Sequence, residues 1–395
     1  MAFLRNRTVN LINLHYGIQA LAQGMGGVFF VVFLLRAGLS VPAALCAMTA
    51  ILAGRFTLRP LVLVLARLWG LKPMVVIGTI GIALQYPMLA EVHGIGWALA
   101  ALVLIASVGD TFYWSSYHAY FATMGDSEHR GHQVGAREAL AAVAGIVAPL
   151  IGAWSLIAFG PRIAFGAVGV VQACAAIPLL GTPSVKIARA APGAFRAARE
   201  GIALFAADGW FAAMYVFVWQ IALFLALRES YSAYGGAMAL SALVGAASGM
   251  LLGRNIEAGH GGRAVLIAYA VIAAVTLLRA ASLGTPWLAV GANALGALSA
   301  CLQVPAMMTA VYNLAKASPC PLRFHIAAEG GWDAGCAAGC LTAAALAAAG
   351  ISLAFALVLA LLGTAASVIL LRRYYARTGA AIAALPVVVS GINPP

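Results

Sequence analysis

Twelve apolar runs, each separated from the next by charged residues or by glycine and proline, constrain this chain more than any other feature. A membrane helix needs roughly 20 mainly apolar residues. Runs of that kind are expected over 11–34, 41–65, 73–90, 96–122, 133–159 and 163–180, then over 209–227, 231–252, 264–283, 286–314, 326–349 and 351–371. With 64% hydrophobic and 9% charged residues the composition excludes a soluble globule. The expected fold class is an all-α integral membrane protein of twelve transmembrane helices in two pseudo-symmetric six-helix bundles. The apolar run after MAFLRNRTVN exceeds a signal-peptide core and lacks a small-residue cleavage site, so the first helix is expected to be retained.

The net charge of +12 reads as topology rather than as nucleic-acid binding. With a cytoplasmic N-terminus, all but four of the 23 Lys and Arg residues (Arg36, Arg162, Arg228 and Arg279) fall on the cytoplasmic side. That bias obeys the positive-inside rule and requires an even number of spans. Both termini are therefore expected inside. The basic stretch GTPSVKIARAAPGAFRAARE divides the chain near its middle, giving an N-terminal bundle (1–180), a connector (181–208), a C-terminal bundle (209–377) and a tail (378–395). Its end, AFRAAREGIALFAA, could lie on the membrane surface with Arg196 and Arg199 toward headgroups. The six cysteines have no metal-ligand spacing, and Cys336 and Cys340, one turn apart, read as packing residues.

The stretch YFATMGDSEHRGHQVGAREALAAVAGIVAPLIGA concentrates charge before a helix carrying Gly145, Pro149 and Gly152, small or kinking residues that let neighbouring backbones approach. It resembles the loop between the fourth and fifth helices of the major facilitator superfamily, with Arg130-Gly131 and Gly135 in place. Pro149 and Gly152 match that family's G-x-x-x-G-P-x-x-G-G helix, whereas Ala148 and Ala153 replace glycines and Gly145 is displaced by one, so antiport does not follow. The family's G-x-x-x-D-R-x-G-R-R motif survives in VLVLARLWGLK as Arg67, Gly70 and Lys72, with Ala66 where the acid belongs. In GRNIEAGHGGR, Gly253 and Glu257 keep the spacing. The resemblance covers roughly residues 8–376.

In that superfamily the first, fourth, seventh and tenth helices line a central cavity. Candidate cavity residues are His15, Gln19 and Gln23 on the first helix, at one face by their four-residue spacing. The fourth adds Asp110, Tyr113 and Tyr117, the seventh Tyr215, Trp219 and Gln220, and the tenth Asn293 and Gln303. Interhelical hydrogen bonding stands against substrate contact as the plainer reading. Asp208 reads as an N-cap at the membrane interface, leaving no acid in the interiors of the first, seventh and tenth helices, which disfavours a strongly cationic substrate. Arg67, Arg130, Arg137, Glu138, Glu257, Arg323, Glu329 and Asp333 are expected to form a cytoplasmic gate, Glu329 and Asp333 at the entry of the eleventh helix. Asp110 and Arg55, at equal depth when counted from the helix ends, form a candidate coupling pair. Two readings of that pair stand: a permanent structural ion pair, or an aspartate that exchanges arginine for a proton.

The expected function is a secondary active transporter, a symporter or antiporter moving a small solute across the cytoplasmic (inner) membrane by alternating access, with protons as one candidate coupling ion. Neither catalytic residues nor a metal site or cofactor is expected, and the chain is expected to be monomeric. The alternatives are a non-transporting scaffold or receptor on the same fold, which the cost of burying Asp110 opposes, and a polytopic membrane enzyme, which the scattered histidines oppose.

Overall fold

The computed structural model describes residues 6–124, 130–187, 190–256 and 261–383. Among these residues nine stretches are long and apolar enough to cross a membrane. The longest, Ala139–Leu180, is two crossings, because Gly160 at φ +76° followed by Pro161 breaks the helical course. Two further helices, Tyr231–Ile256 and Pro321–Ala348, pack among the others. We number the crossings α1 (Arg7–Arg36), α2 (Val41–Trp69), α3 (Leu71–Ala90), α4 (Trp97–Met124), α5 (130–159) and α6 (161–180), then α7 (Arg199–Ala226), α8 (Tyr231–Ile256), α9 (Gly261–Ser282), α10 (Pro286–Ala317), α11 (Pro321–Ala348) and α12 (353–383). The chain is a multi-pass all-α membrane protein.

Local signals explain the ends. Asn6 and Ser40 accept backbone hydrogen bonds from Val9 and Ala43 as N-caps of α1 and α2. Gly70 ends α2 at φ +89°, a conformation a side chain would strain. It turns the chain straight into α3. The connector is strapped beneath this turn: Leu71 N–H donates to the Val185 carbonyl at 2.8 Å, and Lys72 Nζ donates to the Leu180 and Thr182 carbonyls at 3.0 and 2.7 Å. Tyr120 at the end of α4 donates to Thr182 Oγ1 at 2.7 Å.

Small residues set how close helices come. At the α3–α4 crossing Gly81 faces Gly109, and a Cβ built on either would fall 2.6 or 2.7 Å from the other's backbone. The expected result of Gly81→Val is a loss of about 1–3 kcal/mol by overpacking. An unchanged melting midpoint in detergent would mean that this crossing can open freely.

The first six helices meet the last six chiefly along α2 against α11 and α5 against α8. In the second seam Gly235 of α8 lies against Pro149 and Ala153 of α5, and Gly145 faces Ala242. On the side where α1 ends, Arg36 pairs with Glu229 at 3.5 Å and Tyr234 donates to the Val28 carbonyl at 3.1 Å.

Three expectations need correction. Helix α7 begins at Arg199 rather than 209, so the stretch read as a surface segment is, from Arg199 on, its first turns, after a separate short turn at Ala194–Ala197, and Asp208 sits in its interior, not at a cap. Helix α11 begins at Pro321, which places Glu329 and Asp333 two to three turns inside rather than at its mouth. Finally, Arg55, Arg59, Arg279 and Arg323, counted above toward the charge bias of the two sides, are embedded in helices and do not report on the loops. Without them the charge bias becomes sixteen against three and keeps its direction.

A charged bridge as the candidate functional site

Arg55 and Arg59 are one turn apart on α2, and Glu329 and Asp333 are one turn apart on α11. The two helices run antiparallel, so the doublets face each other in register. Arg59 Nε donates to Asp333 Oδ2 at 2.5 Å and its Nη1 to Glu329 Oε2 at 2.7 Å. Arg55 Nη2 lies 3.0 Å from Asp333 Oδ1, off hydrogen-bond alignment, and its Nη1 lies 3.6 Å from Asp110 Oδ2 on α4. Ser115, a little over one turn below Asp110, accepts from Arg59 Nη1 at 2.7 Å and donates to Glu329 Oε2 at 3.2 Å. This cluster is a bridge of charge between the first and last six helices.

Counted along their helices, Arg59 lies ten residues from Trp69 and Glu329 eight from Pro321, roughly 15 and 12 Å inside at 1.5 Å per residue. Desolvating charges so deep costs several kcal/mol per ion unless geometry returns it. The Arg59 fork, held by two carboxylates and a hydroxyl, meets that condition. Asp110 does not: it has one long contact and its side chain keeps 24% exposure, the most open of the five charged groups. Two guanidiniums face three carboxylates, leaving one excess negative charge.

Next to the bridge, Trp332 lies under Arg55, whose guanidinium carbon is 5.5 Å from the ring centroid. The Trp332 Nε1–H donates to Asp208 Oδ2 at 3.1 Å, and Gln303 Nε2 donates to Asp208 Oδ1 at 2.7 Å. A fourth carboxylate on α7 is thus tied to the bridge through an indole.

Most of the remaining cavity candidates are engaged by side chains or carbonyls of neighbouring helices. His15 Nδ1 donates to the Ala175 carbonyl at 2.7 Å, which fixes the tautomer so that Nε2 accepts from the Tyr113 hydroxyl at 3.1 Å. Gln172 donates to Gln19, and Tyr86 to Gln23 at 3.3 Å. Tyr113 and Tyr117 stack at 5.4 Å between ring centroids, and Tyr16 stacks on Tyr117 at 5.5 Å. Between α7 and α10, Tyr215 donates to Ser299 at 2.8 Å and Trp219 to Asn293 Oδ1 at 2.9 Å. Gln220 is half-buried.

Of the expected gate residues, Glu329 and Asp333 join the bridge, while Arg67 is exposed on the last turn of α2. Arg137 stands over the Tyr16 and Phe121 rings at 4.9 and 5.1 Å, and Arg323 is buried in the first turn of α11. Glu257 and the Arg130 and Glu138 side chains lie outside the described residues. Sequence reasoning missed Arg59 and Ser115. The signal for Arg59 was present, because two doublets of opposite charge at helical spacing, Arg55/Arg59 and Glu329/Asp333, are a matched pair.

No family model matches the chain, and no curated protein matches it. Solved structures do. A POT family transporter in complex with a thioalcohol-conjugated peptide superposes with a TM-score of 0.71 at 10% identity, covering 94% of this chain and 96% of its own. An auto-inhibited POT family peptide transporter gives 0.72 at 13%, covering 94% and 97%. A POT family transporter in complex with 5-aminolevulinic acid gives 0.66 at 10%, covering 93% and 95%. Identities this low carry the fold alone: the chain has the all-α fold of these transporters.

Proposed function

We propose that the protein is a secondary active transporter that moves a small solute across the cytoplasmic membrane by alternating access, coupled to protons. The observation that carries this reading is the bridge: three carboxylates and two guanidiniums buried where the first six helices meet the last six. A scaffold has no use for a buried charge imbalance, whereas a transporter that must break and remake one interface does. Asp110 is the proton carrier. Protonation there removes the excess charge, frees Arg55 to bind Asp333 alone and tightens the α2–α11 contact. Deprotonation draws Arg55 toward α4. Glu329, Asp333 and Arg59 form the latch, and the two six-helix sets rock as rigid bodies. The polar residues of α1, α4, α7 and α10 hold those sets together and offer the solute what hydrogen-bonding capacity remains. Transport rather than catalysis also fits the structural neighbours, which are transporters solved with a conjugated peptide or with 5-aminolevulinic acid, one of them a proton-dependent oligopeptide transporter.

The test is reconstitution. In liposomes with an imposed proton gradient, dialanine or 5-aminolevulinic acid is expected to accumulate above equilibrium and to leak back when a protonophore is added. Equilibration indifferent to the gradient would remove proton coupling. Movement of no solute in an uptake and efflux screen by correctly folded protein would return the scaffold reading. We further expect both termini and the connector to be cytoplasmic, so Ser184→Cys should resist an impermeant thiol reagent added to intact cells and react after lysis. Labelling from outside would invert the topology.

A further inference from the structure

Arg279 lies one turn before the end of α9, where an arginine ordinarily stretches to the headgroups. It turns inward instead. Its nearest described partners, Tyr215 and Gly296, lie eleven and ten residues from the extracellular-side ends of α7 and α10, roughly 15 Å inside. The residue is 5% exposed. Nη1 donates to the Tyr215 backbone carbonyl at 2.7 Å, Nε has no partner, and among the described residues no carboxylate pairs with it. The guanidinium carbon stands 3.9 Å from the Tyr215 ring centroid and 4.7 Å from that of Trp219. Aromatic faces and one carbonyl hold a cation, but they do not neutralise it.

The neighbourhood is shaped to present this group. Residues Ala213–Val218 of α7 form a π-helical turn, and the Trp219 N–H bonds to the Met214 and Val216 carbonyls, leaving the Tyr215 carbonyl to the arginine. Gly296 makes room on α10, since a Cβ there would collide with the guanidinium. Both rings are fixed by their own hydrogen bonds, Tyr215 to Ser299 and Trp219 to Asn293. A preorganised cation is thus inserted between two helices that line the cavity in the superfamily this fold matches. An intramembrane charge without a counter-charge marks a place where function supplies one.

We propose that Arg279 recognises a carboxylate of the transported solute, whose planar pair of oxygens matches the guanidinium fork. A single fork whose Nε lacks a partner fits a carboxylate better than a phosphate dianion, which calls for further donors. The inference rests on the transport reading and narrows its substrate to acids and zwitterions.

The test is equilibrium binding to the full-length protein in detergent, with 5-aminolevulinic acid and its methyl ester as probes, which differ only at the carboxylate. The acid is expected to bind saturably and at least tenfold more tightly than the ester. Arg279→Gln keeps a donor for the Tyr215 carbonyl and loses the charge, so it should erase the difference by weakening the acid alone. Binding of neither probe by wild type, equal binding of both, or a preserved preference in Arg279→Gln would overturn the assignment. Should that variant fail to fold, Arg279→Lys replaces it: a point charge without the fork should bind the acid more weakly than wild type, and undiminished preference would again overturn the proposal. Failure of the transport reading looks different, as preferential binding of the acid with no gradient-driven movement in liposomes.

Discussion

Arg59→Leu is expected to destabilise the protein by about 3–5 kcal/mol, the scale for removing one partner of a buried ion pair. Glu329 loses the guanidinium nitrogen that lies 2.7 Å away, while Asp333 keeps Arg55 at 3.0 Å. The cluster's charge falls from −1 to −2. Arg59→Leu combined with Glu329→Leu restores −1 and replaces a hydrogen-bonded pair by packed apolar surface, an exchange that is often close to neutral. Most of the lost stability should therefore return in the double variant. The measurement is the melting midpoint in detergent for wild type, both single variants and the double. Additive losses without recovery would show that Arg59 and Glu329 do not act as a pair. Because the bridge joins α2 to α11, the double variant should also leave cysteines placed on the cytoplasmic side more accessible. Unchanged accessibility would remove the latch role while leaving the stability argument intact.

Asp110→Asn is expected to abolish proton-driven accumulation in liposomes and to leave solute exchange largely intact. Asparagine keeps the size and hydrogen-bonding capacity of a protonated aspartate, so it holds the cluster permanently at zero net charge. Arg55 then has Asp333 as its sole anionic partner in the bridge, and the carrier loses the group whose charge changes. Its 3.6 Å contact and 24% exposure make Asp110 the bridge member that can gain a proton with least disruption. Concentrative transport with unaltered pH dependence in Asp110→Asn would exclude the coupling role. Loss of folding in Asp110→Leu and Arg55→Leu singly, rescued in the double, would favour a permanent structural pair. Asp333→Asn is the control on the other side, since it should weaken the latch whatever the pH.

The twelve crossings could be read without a structure, because the bilayer imposes a length and an apolar character on each segment and the loops carry their basic residues on alternate sides. Boundaries were legible where punctuation was sharp, as at Gly160-Pro161. They blurred at Arg199 and Pro321, where the first turns carry charged residues, Arg199 and Glu200 on one helix and Arg323 on the other, that look like loop. The same blur misplaced Asp208. That Asp110 and Arg55 matter followed from the cost of charge at depth, and depth is a property of position along a helix, whereas Glu329 and Asp333 were singled out as gate residues at a helix entry. Which charge answers which is another matter: Arg59 and Glu329 are 270 residues apart, and only the docking of α2 on α11 brings them to 2.7 Å. Arg279 was counted toward the charge of one membrane face because its place in the chain is one turn from a helix end. Its inward turn depends on a glycine on α10 and a π-turn on α7, and tertiary packing alone could decide it, because the direction of a flexible side chain is set by the neighbours that leave it room.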